Sequence, residues 1–203
     1  GNSLGDRTFV MWLRPNSNQI HFRISTDENF NEGGNSQSAI PEDVWTHVAY
    51  VKEENSLKLY INGQLDQAQT LEGNTINNDG PLTFGGSPYG AGSNVFMDDI
   101  MVFDRALSEQ ELGDIYSDED DYSQIAWWPL HMDGKDQIDD ANGLLKNETT
   151  FPEDIEKGLV AEFDGVNDHI EVPHRLQLAL GRDNKPVSRS LWVKLLEAAT
   201  GSE

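Results

Sequence analysis

The chain has 203 residues, of which 36 are acidic and 14 are basic, so its formal charge is −22 at pH 7, and it contains no cysteine. This charge would repel nucleic acid and anionic membranes, and the lack of cysteine excludes disulfide bonds and thiolate metal sites. No apolar run reaches the roughly 18 residues that a membrane helix needs, so we expect no membrane insertion. We favour solubility as the reason for most of the carboxylates, with binding of hard cations such as Ca²⁺ as the alternative.

Alternation of apolar and polar residues between turn residues dominates the chain and predicts an all-β fold. So many short strands are typical of a sandwich or a barrel. The predicted strands cover, in chain order, residues 8–13, 19–24, 44–52, 56–62, a short segment near Leu82, 95–103, 124–130, 158–163, 168–173 and 187–195.

Two local signals are sharper than the strand pattern. Asn62-Gly63 stands between two alternating runs and predicts a two-residue primed turn, because both central residues of that turn need a positive φ. Ser108, with Glu111 three residues later, forms a capping-box pattern. This pattern predicts one short helix near residues 107–116.

Three segments in the first part of the chain carry a family resemblance. In order they are VWTHVAYVKEENSLKLYINGQL, PLTFGG and FMDDIMVFDRALSEQEL. Together they resemble the laminin-G-like, concanavalin-A-like lectin/glucanase jelly roll, with departures at Thr46, Met97 and Ile100. The resemblance implies a sandwich of two antiparallel sheets.

The second part of the chain resembles the beginning of the same family pattern. Its segments are IAWWPLHMDGKDQIDDANG, LVAEFDGVNDHIEVP and SRSLWVK. We therefore expect residues 1–203 to form one circularly permuted domain. In it, residues 1–116 supply the C-terminal part of the pattern, residues 117–124 form an acidic linker, and residues 125–203 supply the N-terminal part. The alternatives are a fragment of a tandem array and a domain rebuilt without a natural insertion.

The sequence does not predict an enzyme. Enzymes that resemble this chain carry a Glu-x-Asp-x-(x)-Glu array on one strand, and none is present. The carboxylates between Glu162 and Glu171 are interrupted by turn residues, so they cannot share one strand face. The histidines show no His-Glu-x-x-His spacing.

The resemblance implies a structural Ca²⁺ site held by acidic residues of the Asp-Asp strand and of a turn. At matching positions it points to Asp98 or Asp99 with Asp139 and Asn142, and it keeps Asp164 and Asp168 in reserve. Ca²⁺ takes six to eight oxygen ligands and would relieve repulsion between converging carboxylates. The alternative is that Asp98 and Asp99 alternate across the strand while the turn acids cap backbone amides.

Two sets of residues are candidates for carbohydrate binding. Trp12, His21 and Arg23 are predicted to share the strand face opposite the core. Phe30, Tyr89 and Asn94 lie in predicted loops rich in glycine, asparagine and serine, which have the residue types of sugar sites. The alternative places Trp12 in the core, as we expect for the other four tryptophans.

These observations predict a monomeric, extracellular or cell-surface, calcium-supported lectin-like module of a larger protein. Its expected partner is a glycan or cell-surface polysaccharide, together with neighbouring adhesin domains. One alternative is a structural or protein-interaction module of an adhesin without its own glycan site. Another is a non-catalytic ancillary domain of a polysaccharide-degrading enzyme.

Overall fold

A computed structural model of the chain describes residues 9–14, 18–28, 32–75, 80–86, 93–117, 123–178 and 184–196. Most of these residues belong to antiparallel strands, joined by one α-helix and one short 3-10 helix at Leu176–Leu178. The elements are β1 (Phe9–Arg14), β2 (Gln19–Ile24), β3 (Glu32–Ala39), β4 (Trp45–Glu53), β5 (Ser56–Ile61), β6 (Gln64–Thr70), β7 (Leu82–Phe84), β8 (Asn94–Phe103), α1 (Glu109–Tyr116), β9 (Ala126–Trp128), β10 (Leu144–Lys146), β11 (Glu153–Asp154), β12 (Gly158–Leu159), β13 (Ala161–Asp164), β14 (His169–Val172) and β15 (Val187–Leu195).

The largest sheet has seven strands in the order β13-β8-β15-β4-β5-β6, with β9 paired to β8 alongside β13. β15 lies between β8 and β4 and pairs with both in antiparallel register. Strands from the two parts of the chain are therefore interleaved in one sheet. The last predicted strand, residues 187–195, finds both of its partners there.

Two three-stranded sheets, β1-β2-β3 and β10-β14-β7, form the opposite layer. Their apolar side chains pack into one core cluster with those of the inner face of the large sheet. Members of this cluster include Phe22, Leu59, Val102, Trp128, Phe163, Ile170 and Leu191. The all-β jelly-roll sandwich expected from the sequence is thus confirmed.

Helix α1 covers part of the outer face of the large sheet. Its buried residues Leu112 and Ile115 pack on Ala49, Val51 and Phe103 in a second apolar cluster. The capping box is present: the Glu111 amide donates to Ser108 Oγ, and the Ser108 amide donates to Glu111 Oε2 at 2.8 Å. The predicted helix is confirmed.

The Asn62-Gly63 turn is also confirmed, because both residues have positive φ, 50° and 74°, between β5 and β6. The His47 amide donates to Asn62 Oδ1 at 2.9 Å, which ties the turn to β4. A Cβ at Gly63 would lie 3.3 Å from the Gly113 Cα, so the turn also lies close to α1.

The sequence prediction was wrong for part of the glycine-rich stretch after β2. Residues 32–39 form β3, a full strand paired with β2. Its mostly polar sequence has no apolar alternation, and Asp66 of β6 accepts hydrogen bonds from the amides of Gln37 and Ser38 at 2.6 and 2.9 Å. Asn94, predicted to lie in a loop, begins β8 and pairs with Asp164.

Most of the acidic linker, residues 118–122, lies outside the described residues. No helix in the described part of the chain is long and apolar enough to cross a membrane.

Candidate functional site

The part of the outer face that α1 leaves free is polar and aromatic. In one cross-strand row, Trp192 of β15 lies between Asp98 of β8 and His47 of β4. In the next row, Lys194 lies between Phe96 and Trp45. Side chains alternate across a strand, and the residues next to Trp192 and Lys194 belong to the inner core, so both rows point outward.

A β-bulge in β8 brings two neighbouring carboxylates together. Between the pairs Ser190–Met101 and Trp192–Asp98 the register shifts, and Asp99 has a φ of 46°. Oxygens of Asp98 and Asp99 and a ring nitrogen of His131 all lie within 4.8 Å of one another. The bulge thus departs from the regular alternation of Asp98 and Asp99 that the alternative interpretation assumed.

We call Asp98, Asp99, His131 and Lys157 the outer acid cluster. Lys157 Nζ lies 3.8 Å from Asp98 Oδ2 and 3.6 Å from Asp99 Oδ2, and His131 Nε2 lies 3.8 Å from Asp98 Oδ1. The Trp127 indole donates to Asp99 Oδ1 at 3.1 Å. Asp98 is only 1% exposed, and its buried Oδ1 has no hydrogen-bond partner among the described residues. Lys157 therefore offsets part of the negative charge, and one buried acceptor among the described residues receives no hydrogen bond.

Burial dominates the electrostatics of this cluster. It raises the pKa of Asp98 to about 8, with a further contribution from the negative charge of Asp99 and an opposing one from Lys157. Burial, together with the positive charge of Lys157, also lowers the pKa of His47 to about 4. At neutral pH His47 is therefore uncharged, while Asp98 retains its proton in most molecules.

Aromatic rings adjoin the cluster. Lys157 Nζ lies 4.1 Å from the centroid of the Trp192 ring, a cation–π geometry. Tyr116 stacks on Trp192 with centroids 5.7 Å apart, and the His47 ring lies 5.3 Å from Trp192. Tyr116 is 40% exposed, and Trp127 and Trp192 are half-buried, so aromatic surface remains accessible beside the carboxylates.

The hairpin β11–β12 connects this cluster to a second buried carboxylate. Asp154 Oδ1 accepts from the Trp45 indole at 2.9 Å and from the amides of Glu156 and Lys157 at 2.9 and 3.1 Å. Its Oδ2 forms an ion pair with Lys194. Burial by itself would raise the pKa of Asp154, but the hydrogen bonds from Lys194, Trp45 and the two amides outweigh it and hold the pKa at about 2. This hairpin anchor, Asp154 with Trp45 and Lys194, fixes the turn that carries Lys157.

The predicted metal residues lie in three places. Asp98 and Asp99 lie together, and they are joined by His131, which no sequence motif had indicated. Asp139 and Asn142 are not members of that group: Asp139 Oδ2 accepts from Gln177 at 2.9 Å, and Asn142 Oδ1 accepts from the Asp136 amide at 3.1 Å.

The reserve pair, Asp164 and Asp168, brackets the turn between β13 and β14. The Asp164 amide donates to both oxygens of Asp168, at 3.0 and 3.1 Å. Burial and the Asp164 carboxyl raise the pKa of Asp168 to about 6. These two acids organise a turn.

The predicted carbohydrate residues are spread over two sheets. Trp12 and His21 are cross-strand partners in β1 and β2, and Arg23 is on the same strand as His21. The side chains of Trp12 and Arg23, and all of Phe30 and Tyr89, lie outside the described residues. His21 is buried, and its Nδ1 hydrogen-bonds with Asn35 Oδ1.

The antiparallel sandwich, with a polar and aromatic patch on its outer sheet, defines a jelly-roll domain of the type used for binding. The family model described as Concanavalin A-like lectin/glucanases superfamily matches residues 2–113. The chain therefore belongs to this superfamily, which supports a carbohydrate-binding type of module. No curated protein and no solved structure matches the chain.

Proposed function

We propose that this chain is a non-catalytic carbohydrate-binding module whose glycan site is the outer-face surface formed by Trp127, Trp192 and the outer acid cluster. The observation that carries the proposal is the half-buried Trp127 indole, hydrogen-bonded to Asp99, beside a buried carboxyl oxygen that receives no hydrogen bond from the described residues. Sugar rings bind through apolar faces that pack on aromatic rings and through hydroxyl groups that bond to carboxylates.

Exposed apolar residues next to this surface fit the same role. Ile155, in the turn before Lys157, is 98% exposed, and Met132, next to His131, is 72% exposed. Large apolar side chains at such exposure are typical of contact surfaces when they adjoin convergent polar groups.

Calcium belongs to the proposal as a structural ion. Asp98 and Asp99 would hold it through carboxylate oxygens, and His131 offers a nitrogen within reach. The ion would supply positive charge that neutralises the acid pair. The buried Asp98 oxygen, which has no hydrogen-bond donor among the described residues, is the feature of this chain that fits such an ion.

The burial of Asp98 supports the non-catalytic part of the proposal. The superfamily name includes glucanases, and glycoside hydrolysis needs two carboxyl groups that flank the scissile bond. Because Asp98 is 1% exposed, it cannot reach a glycosidic oxygen without rearrangement of the sheet.

We further propose that the domain acts outside the cell or on its surface, as a monomeric part of a larger adhesin or secreted protein. The position of β15 between β8 and β4 supports a single domain that includes both parts of the chain. It fits the proposed circular permutation, with residues 117–124 as the bridge. A structural adhesin module without a glycan site and an ancillary domain of a polysaccharide-degrading enzyme remain the alternative proposals.

A glycan array with the wild type, Trp127→Ala and Trp12→Ala, run with Ca²⁺ and with chelator, tests this function. We expect binding by the wild type and Trp12→Ala, and loss with Trp127→Ala. Loss with Trp12→Ala alone would move the site to the β1–β2 face predicted from the sequence. If the wild type binds none of the glycans on the array, the structural adhesin module would be favoured.

A melting scan of the wild type with Ca²⁺ and with chelator tests the ion. An ion at about one hundred times its Kd would stabilise the folded state by roughly 2.7 kcal/mol and raise the Tm. An unchanged Tm would remove calcium from the proposal and leave glycan binding to be decided by the array.

A further inference from the structure

We propose that Lys157 is a built-in cation of the outer acid cluster, and that a divalent cation exchanges with its ammonium group there. The inference rests on the proposed cation site and gives one residue of this chain a role in regulating it. Binding would then be a replacement, in which the ion enters and Lys157 moves away.

The first step is the need for positive charge. Two carboxylates and an imidazole place ligand atoms within 4.8 Å of one another. Binding of a divalent ion requires the ionised form of Asp98, and because Asp98 is nearly inaccessible to solvent, counterions in bulk water cannot screen that charge effectively. Lys157 is the cation that the described structure places beside both carboxylates.

The second step is that Lys157 meets this need only in part. Its Nζ lies 3.8 and 3.6 Å from the nearest oxygens of Asp98 and Asp99, beyond the usual range of a hydrogen bond. It therefore neutralises charge at a distance, and Asp98 Oδ1 still receives no hydrogen bond from any residue that the structure describes. A divalent ion, which binds oxygen at about 2.0–2.6 Å, would supply both the charge and the missing contact.

The third step is that Lys157 can leave without unfolding its hairpin. The Lys157 amide is bonded to Asp154, so the backbone stays fixed by the hairpin anchor. The Lys157 side chain is 23% exposed and already lies over the Trp192 ring. The ammonium group therefore has both solvent and an aromatic face available when it moves away from the carboxylates.

The test is a calorimetric titration of the full chain, stripped with chelator, using Mn²⁺ and Ca²⁺ as separate probes and no glycan. Mn²⁺ is included because His131 adds a nitrogen to the oxygen ligands. Lys157→Met keeps the apolar stem and removes the charge, so we expect at least roughly tenfold tighter binding of a divalent ion than in the wild type. Asp99→Asn should abolish this binding.

Lys135→Met is the matched control. It removes the same charge from the chain, but Lys135 pairs with Asp133 on the exposed surface. We expect its ion affinity to equal that of the wild type. Equal affinities for Lys157→Met and Lys135→Met, or no binding of either ion to Lys157→Met, would overturn the proposal.

A second measurement uses the wild type and does not depend on the folding of a variant. The rate of acylation at each lysine, followed by mass spectrometry, should rise at Lys157 when the ion is added and stay constant at Lys135. An unchanged rate at Lys157 in the presence of bound ion would also overturn exchange. Neither of these experiments contains glycan, and the glycan array is also run in chelator. A negative result for ion exchange would therefore not count against carbohydrate binding, which the array tests separately.

Discussion

The hairpin β11–β12 touches the large sheet at two buried aspartates, and their environments differ. Asp154 is 7% exposed and receives hydrogen bonds from Trp45, Lys194 and two backbone amides. Asp98 is 1% exposed and has another carboxylate as its neighbour, and one of its oxygens accepts no hydrogen bond within the described part of the chain. Each has a lysine and a tryptophan nearby. Direct donors, and not the mere proximity of a lysine, decide whether a buried carboxylate is stabilised in its charged form.

The largest expected effect comes from breaking the hairpin anchor. Asp154→Ala leaves Lys194 buried without its partner, so the free energy of unfolding should fall by about 3 kcal/mol or more. Urea denaturation at pH 7 measures this change. Asp133→Ala, which removes an exposed carboxylate paired with Lys135, serves as the control and should be close to the wild type. An Asp154→Ala variant as stable as that control would remove the distinction between the two aspartates.

Acid should reveal the same anchor in the wild type. A carboxyl group whose folded pKa is lowered stabilises the fold above its ordinary pKa, and this contribution is lost as the pH falls through the folded value. For Asp154 the loss should run from about pH 4 to about pH 2 and reach about 2 kcal/mol. The free energies of unfolding of the wild type and Asp154→Asn, obtained from denaturation at several pH values in this range, should converge as the pH falls. A constant difference between the two proteins across this range would contradict the lowered pKa of Asp154.

Asp98 should show the opposite dependence on pH. Its raised pKa favours the protonated, folded form, so its contribution is complete below the ordinary pKa and is lost as the pH rises through about 8. Asp98→Asn keeps the shape without the charge. In the presence of chelator, the stability of Asp98→Asn relative to the wild type should increase by on the order of 1 kcal/mol from pH 6 to pH 9. Denaturation of both proteins at pH 6 and at pH 9 measures this change. An equal difference in the free energy of unfolding at the two pH values would contradict the raised pKa of Asp98.

The smallest effect concerns His47, which lies opposite Trp192 and is fully buried. Its lowered pKa means that its contribution to stability is present above its ordinary pKa of 6.5 and is lost as the pH falls through about 4. NMR of the imidazole carbons should therefore show no titration of His47 above about pH 5. A midpoint near 6.5 would mean that the ring is hydrated, and that the face beside the outer acid cluster is more open than the structure shows.

Sequence patterns predicted those parts of the fold that local chemistry controls. Residues 19–24 and 187–195 form strands with the predicted bounds, and the Asn62-Gly63 turn and the Ser108 cap are present. β3 was missed because its polar residues gain their hydrogen bonds from β2 and from Asp66, not from an apolar face of their own.

For the candidate site, the sequence indicated Asp98 and Asp99 but not their surroundings. The positive φ of Asp99 coincides with the register shift between β8 and β15, and the alternating pattern of residues 95–103 does not predict this shift. His131 and Lys157 come from distant parts of the chain and carry no motif. They were found only because their side chains converge on the two aspartates.

By itself, the sequence determined the all-β class, the superfamily and the hairpin and helix signals, since these depend on the preferences of neighbouring residues. Only the tertiary structure decided which of the 36 acidic residues are buried together and which of them receive donors. The physical reason is that burial and cross-strand partners are set by the packing of segments that are far apart in the chain. Two buried aspartates of one chain can thus end with opposite shifts in pKa.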